Sequence, residues 1–403
     1  MKKVKVLWIS ASVPCKKIPH AGGQTFRFYF NEFLNDGRFD IYLIAFNDGM
    51  PKDMIDFELK DVEHDIVYKS KNSLKKFVNI ESAINPWNRH AGIVSNYYYL
   101  KTMKYVKAYK SRGSIPDVII LEWTGIVLLA PELRKIFPQT KLIASEHDVT
   151  YVGWKRKYEF YSGLKKVLWN IKFNQEYKLE LNALSLCDLV LPHNPDNCKL
   201  IENEGISSDK VRWLPPYFNS LCNIKRVQTE PIILFFGAMG RQENSLSALW
   251  FIDKVLPKLT DLPVKFVVLG GNPPEELKNR EGKNIRITGF VDNIRPYFES
   301  AMCFAAPLIL GAGIKVKVLE ALSSGIPVLT NKIGIEGIPV HDRREYLHCE
   351  TAEEYENSIR LIYENKIDVK QIEVNAKKFM EKYSTTNSSQ EYRNLVYKIG
   401  EDK

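Results

Sequence analysis

Short apolar runs alternate along this chain with longer stretches whose apolar residues recur every three or four positions. Strand-like runs stand at Val4 (VKVLWIS), Ile41 (IYLIAFN), His64 (HDIVYK), Asp117 (DVIILEW), Lys141 (KLIASEH) and Asp188 (DLVLPHN), with helical patterns between them. Such alternation predicts a parallel sheet covered by helices. From Val211 to Glu230 the period is lost, and two prolines with polar punctuation mark a connection. A second alternation runs from Pro231 to about Ile367, and AKKFMEKYSTTNSSQEYRNLVYKI, from Ala376, holds a break and a final helix. The pattern predicts α/β domains over 1–215 and 231–380, a linker over 216–230 and a closing helix over 381–403. A chain of 403 residues exceeds what one core supports, and 45% hydrophobic residues suffice for two.

The densest chemistry lies in APLILGAGIKVKVLEALSSGIPVLTNKIGIEG, from Ala305 to Gly337, which reads as strand, glycine turn, helix, strand. Gly311 and Gly313 bracket one alanine, and from Ile314 the apolar Val316, Val318, Leu319 and Leu322 fall at helical spacing. Helix-start amides near Gly313 to Lys315 then point into the turn as donors for an anion, assisted by the helix dipole and by Lys315 and Lys317. Glu320 lies one to two turns further on, in reach of sugar hydroxyls on the same ligand. Gly325 and Pro327 close the helix.

This stretch resembles the donor-site signature of the group 1 glycosyltransferases, glycosyltransferase family 4, in their bacterial surface-polysaccharide branch. The order of segments before it is similar too: PIILFFGAMGRQENSLSALWFIDKVLPKL from Pro231, VKFVVLGGNPPEELK from Val264, then NIRITGFVDNIRPYFESAMCFAAPL from Asn284. The resemblance implies a GT-B fold, α/β, with two Rossmann-like parallel-sheet domains facing a central cleft and a C-terminal helix returning to the first domain. It also implies a retaining transferase that moves a sugar from a nucleotide-diphosphate sugar to a glycan or lipid-diphosphate-linked acceptor in cell-surface polysaccharide biosynthesis. Gly237, Gly311, Gly313, Ile314 and Val316 are then expected around the phosphates, Glu320 on the ribose, and Val291 and Asp292 at the nucleobase. The leaving phosphate takes the acceptor's proton on the same face.

The sequence departs from the family in two places. The arginine and lysine pair is expected where Ala238 and Asn244 stand, and Arg241 is either its substitute, a clamp for the diphosphate, or an ordinary surface arginine. The paired acids lie eight positions apart in the family, and this chain keeps Glu320 but has Ala312 at the other position. Recognition of the transferred sugar must therefore come from elsewhere.

The first domain carries its own candidates. Gly22 and Gly23 sit just before a helix that follows the first strand, a place where the family brings backbone close to the donor diphosphate. His20 nearby is read as a loop histidine. Glu146, His147 and Asp148 end a strand, where open parallel sheets bind ligands. His147 resembles the family histidine beside the transferred sugar; the alternative is a structural histidine held by Asp148. Glu122, at another strand end, is a candidate for acceptor binding together with Glu146, or else forms a salt bridge across the cleft.

Composition narrows the remaining classes. The six cysteines show no zinc-like spacing and read as reduced core thiols, and no acidic pair suited to a divalent ion accompanies the phosphates, so no metal or other cofactor is expected. The charge of +9 gathers at Lys101, Lys104, Lys107 and Lys110, over Leu100, Met103 and Val106, and again from Trp154 to Glu180. Both stretches are either basic amphipathic helices for anionic lipid or for a lipid-diphosphate acceptor, or solvated faces over aromatic cores. No nucleic-acid-binding motif accompanies them. The apolar run after Met1 breaks at Lys5 and ends by Ser12, short of a signal peptide, and no stretch is long enough to span a membrane. The expectation is a cytoplasmic protein with peripheral contact on the inner face of the cell membrane. Two rival readings stay open: a sugar-nucleotide 2-epimerase of the same architecture, and a GT-B-like scaffold without catalysis.

Overall fold

Strand β1 (Val4–Ser10) is buried at every position except Lys5, the burial expected of a strand that helices cover on both faces. The computed structural model of the chain describes residues 3–16, 18, 20–47, 49–68, 96–226, 230–311, 313–381, 383 and 385–401. It divides into two units, Met1–Tyr217 with Thr385–Lys403, and Phe218–Ser384.

In the first unit β1 is followed by α1 (Ala21–Leu34), β2 (Phe39–Asn47), α2 (Lys52–Glu58), β3 (Glu63–Tyr68) and α3 (Asn96–Ser111). Then come β4 (Val118–Glu122), α4 (Thr124–Val127), α5 (Ala130–Ile136), β5 (Lys141–Glu146), α6 (Thr150–Phe160), α7 (Gly163–Ser185), β6 (Leu189–Pro192) and α8 (Pro195–Asn203). Among the described residues these strands form one six-stranded sheet, ordered β3-β2-β1-β4-β5-β6, with every pairing parallel. Trp8 anchors one face, its ring centroid 5.8, 5.4 and 5.1 Å from those of Phe26, Phe30 and Phe33 on α1.

The second unit runs β7 (Ile232–Phe236), α9 (Gln242–Trp250), β8 (Lys265–Leu269), α10 (Glu275–Lys278), β9 (Ile285–Ile287), α11 (Arg295–Ser300) and β10 (Cys303–Ala306). It continues with α12 (Val316–Ser324), β11 (Val328–Thr330), β12 (Leu347–His348), α13 (Ala352–Tyr363) and α14 (Val369–Glu381). Its described strands also make a six-stranded parallel sheet, β12-β11-β10-β7-β8-β9. Beyond Trp250, α9 loosens into a π turn (Phe251–Val255) and a tight turn (Leu256–Leu259). Pro257, lacking an N–H and crowding the carbonyl four residues back, accounts for the change.

The two parallel-sheet units are the α/β fold expected from the alternating pattern. Observed strands match the apolar runs to within a few residues, although Lys69, the last residue of HDIVYK, lies outside the described set. None of the six cysteines forms a disulfide. No helix among the described residues is long and apolar enough to cross a membrane.

The last helix, α15 (Thr385–Glu401), belongs to the first unit, as the family resemblance implies. Arg393 reaches the Glu32 carboxylate at 2.6 Å, and Tyr392 packs edge-on against Phe33 at 4.9 Å. The Tyr392 hydroxyl is buried and has no hydrogen-bond partner among the described residues. Tyr392→Phe is therefore expected to leave stability unchanged or raise it, since the hydroxyl's desolvation is uncompensated. Tyr392→Ala should lower it by about 3 to 5 kcal/mol, the range for aromatic truncation in a core. Denaturant unfolding of the full chain checks both.

Candidate functional site

In each unit the polar side chains gather at the carboxyl ends of strands, where an open parallel sheet leaves room for ligands. In the first unit β4 ends at Glu122, β5 at Glu146, and β6 leads into His193. Buried Glu122 accepts the Trp8 indole N–H at 3.0 Å on one oxygen. Its other oxygen accepts the Ser145 hydroxyl and the His147 Nε2–H, each at 2.8 Å. Desolvation pushes the Glu122 carboxyl up to about 7, against the opposing effect of the hydrogen bonds from Ser145 and Trp8.

His147 stacks on Trp123 with centroids 4.2 Å apart and planes 10° from parallel. Trp123 stands at φ 74°, a costly conformation for a bulky residue, and it lays the indole over the imidazole. With Nε2–H given to Glu122, Nδ1 of His147 turns toward Gly22. A Cβ on Gly22 would come within 3.2 Å of that nitrogen and 3.1 Å of Trp123 Nε1, so only glycine leaves the pair open. Burial lowers both His147 and His193 to about 3, and each is neutral at physiological pH. His193 donates from Nδ1 to the Leu214 carbonyl at 2.7 Å, which leaves Nε2 3.4 Å from the Ser145 hydroxyl.

Several expectations change here. His147 is held by Glu122, where Asp148 was the alternative. Glu122 directs its oxygens to Trp8, Ser145 and His147, all within the first unit. Gly22 and Gly23 lie inside the first turn of α1 instead of before it, and His20 caps that helix by accepting the Gly23 N–H at 2.9 Å. Glu146 is wholly buried, takes the Thr124 hydroxyl at 2.6 Å, and burial pushes it up to about 8. Burial also drives Glu176 and Glu180 of α7 well above the carboxylate range, with the Glu146 charge adding to the effect. Glu180 accepts the Thr150 and Tyr151 backbone N–H groups and so caps α6 from a neighbouring helix. Both Glu122 and Glu146 are buried, with carboxylates that accept hydrogen bonds from groups of the same unit.

Glu122, His147 and His193 bring ligand-type atoms within 4.8 Å of one another. Two ligands of one tetrahedral zinc stand about 3.3 Å apart. The 2.8 Å between Glu122 and His147 is that of a hydrogen bond, so this trio is built as a hydrogen-bonded network.

In the second unit β7 turns through Gly237 and β8 through Gly270, whose φ of 144° brings it against the Gly237 carbonyl with no space for a Cβ. Asn244, in the first turn of α9, donates to the Ala238 carbonyl at 2.8 Å and accepts from Lys317 Nζ. The same ammonium lies 5.0 Å over the Phe235 ring. Burial, with smaller contributions from the charges of Arg241 and Lys315, lowers Lys317 to about 7. Lys315 occupies the N-cap position of α12, where no side chain caps the helix; its ammonium donates to the Gly313 carbonyl and stands 3.5 Å from Glu336. Helix α12 starts at Val316, two residues later than its apolar period suggests, because Gly311 and Gly313 hold positive φ and Ile314 remains in the turn. Ala312 lies outside the described residues.

Arg241 occupies the N-cap position of α9 with its side chain 65% exposed, 3.8 Å from Glu243. The cation that reaches into the β7 loop is Lys317. Glu320 is half-buried, accepts the Asn219 N–H at 3.2 Å, and burial raises it to about 7. Val291 packs against the core and Asp292 is exposed.

Sequence reasoning missed Trp8, Trp123, His193 and Glu336. His193 was open to the argument that found His147, since DLVLPHN also carries a histidine at a strand's carboxyl end. Glu336 sits in a loop without period and gave no signal.

Residues 230–365 match the family described as Glycosyl transferases group 1. A curated protein of Klebsiella pneumoniae, described as "Uncharacterized 44.6 kDa protein in cps region", is 28% identical over 198 residues. That match covers 46% of this chain and 47% of the relative, so it spans about half of the relative's length. Anabaena Alr3699/HepE, solved in complex with UDP and glucose, is similar in structure with a TM-score of 0.66 at 13% identity, over 98% of this chain and 99% of that one. Sucrose-phosphate synthase (tll1590) from Thermosynechococcus elongatus has a TM-score of 0.73 at 14% identity, over 100% of each chain. The resemblance to group 1 glycosyltransferases is thus shown over the second unit, and the fold is that of GT-B glycosyltransferases.

The raised pKa of Glu320 has a consequence for stability. A folded-state value near 7 against 4.5 means that the folded protein holds the extra proton, a contribution complete below pH 4.5 and lost as pH rises through 7. Glu320→Gln is expected to make the ligand-free protein more stable than wild type above pH 7, by on the order of 1 to 3 kcal/mol. The difference should close toward pH 4.5. Thermal melts across this range check the sign.

Proposed function

We propose that this protein is a retaining glycosyltransferase that moves a sugar from a nucleotide-diphosphate sugar to a glycan or lipid-linked acceptor in cell-surface polysaccharide biosynthesis. The observation that carries the reading is the phosphate turn of the second unit. Lys315, Lys317 and the start of α12 surround a glycine turn inside the segment that matches the glycosyltransferase family. The UDP and glucose of the HepE complex and the cps-region relative support the substrate class and the setting.

Negative charge grows on the leaving diphosphate during transfer. Oriented amides and the two lysines stabilise it in place, and the proposed mechanism needs no metal ion or other cofactor. Glu320 takes the ribose hydroxyls, and Val291 and Asp292 border the base. Glu336, beside Lys315, is assigned to the sugar-reading role for which Ala312 has no carboxylate. His147 offers a neutral Nδ1 to a sugar hydroxyl and is fixed for this by Glu122 and Trp123. The protein is placed in the cytoplasm with peripheral contact at the membrane.

The neutral-range carboxyls Glu122 and Glu146 beside two histidines favour a second reading, the 2-epimerase. Turnover of the nucleotide sugar separates the two: epimerisation without acceptor, or transfer only with one.

Glu320→Gln should weaken nucleotide-diphosphate binding by about 1.5 to 3 kcal/mol, the loss for hydrogen bonds to a charged group. Unchanged affinity in calorimetry would refute the ribose assignment. Transfer should persist in excess chelator, and Lys317→Met and Lys315→Met should each slow it. Complete loss in chelator, restored by magnesium or manganese, overturns the metal-free mechanism.

A further inference from the structure

Helices α6 and α7 are joined by Tyr161 and Ser162 and pack on one another. In α6 only Tyr151 is buried, and in α7 only residues from Glu176 onward are. Toward the shared end, Phe160, Leu164, Val167, Leu168 and Ile171 are exposed, Leu164 at 90%. The last four fall at helical spacing and form one apolar stripe.

Aromatic and lysine side chains join the two helices. Trp154 and Trp169 meet edge-on at 5.9 Å, with Lys157 4.7 Å and Lys172 5.6 Å over the Trp169 ring. Lys165 lies over Tyr161 and Lys166 over Tyr158, at 5.5 and 5.1 Å. An aromatic and lysine seam thus holds the pair and leaves the aliphatic stripe in solvent.

We infer that this shared end of α6 and α7 docks on an anionic lipid bilayer, with the aliphatic stripe entering the headgroup and acyl boundary. Between Trp154 and Lys172 the basic residues Lys155, Arg156, Lys157, Lys165, Lys166 and Lys172 face a single acid, Glu159. That rim is complementary to anionic headgroups, and the tryptophans and tyrosines suit the interface beneath them. A second copy of the chain would bring the same positive rim against itself. The other lysine row is different: on α3, Met103, Val106 and Tyr109 are buried and, of the stripe that begins at Leu100, only Leu100 is exposed. Lys101, Lys104, Lys107 and Lys110 belong to an ordinary solvated helix.

The inference deepens the peripheral contact of the proposed function and rests on that part of it alone. Full-length protein is sedimented with vesicles of phosphatidylcholine, with and without phosphatidylglycerol. Wild type is expected on the anionic vesicles at low salt, and a Leu164→Ser, Leu168→Ser variant is expected to lose at least about tenfold in partitioning. A Lys101→Gln, Lys104→Gln, Lys107→Gln variant should stay within about twofold of wild type. Circular dichroism confirms that each variant is folded. Binding that survives the serine substitutions but fails with the glutamines overturns the segment and keeps the contact. No vesicle binding by any form overturns both. A dimer that the serine substitutions disperse, without vesicle binding, makes the occupant a second copy and overturns the proposal.

Discussion

A parallel sheet covered on both faces by helices leaves its chemistry one place to go. The middles of the strands are largely apolar, as in β4 before Glu122, since a polar group buried there would lack water. Polar side chains therefore collect where strands end. Glu122, Glu146 and His193 lie at such ends in the first unit, and the Gly237, Gly270 and Gly311 turns at those of the second. The rule that shapes the core also assembles the candidate sites from residues far apart in sequence.

Within the second unit the dominant local interaction is the burial of Lys317. Its ammonium is held by Asn244 and the Phe235 ring, and desolvation brings it close to neutrality at physiological pH. A diphosphate arriving nearby would restore the charge, because an adjacent anion favours the protonated form. Binding and protonation are thereby linked, and the stabilising charge is strongest when the phosphates are present. The geometry also answers one departure from the family pattern. Asn244 occupies the place where a lysine is expected, and it accepts a hydrogen bond from a lysine that comes from another helix.

The fold was legible because strand and helix periods differ and each element here keeps its own. The glycine turn before α12 was legible for a similar local reason: Gly311, Gly313 and the α12 pattern lie within one stretch. What escaped was long-range. No spacing brings Trp8 to Glu122, 114 residues away, or Lys317 to Asn244, 73 residues away. Arg241 was open to two readings from its place after a glycine loop, and its side chain is exposed beside Glu243 while half-buried Lys317 reaches Asn244. The lysine rows of α3 and α7 read alike in charge, and the structure separates them by which apolar residues the core covers.

The first-unit network is chemically unusual because burial has removed most of its charge. Both histidines are neutral, and the Glu122 and Glu146 carboxyls are poised near neutrality. A histidine lowered to about 3 is a poor proton shuttle at physiological pH, since it does not accept a proton readily. It is well suited to a fixed hydrogen bond. Glu122 holds one ring nitrogen, Trp123 holds the plane, and Gly22 leaves the other nitrogen accessible. These constraints favour orientation of a hydroxyl over proton transfer, and on chemical grounds they weigh toward glycosyl transfer and against epimerisation.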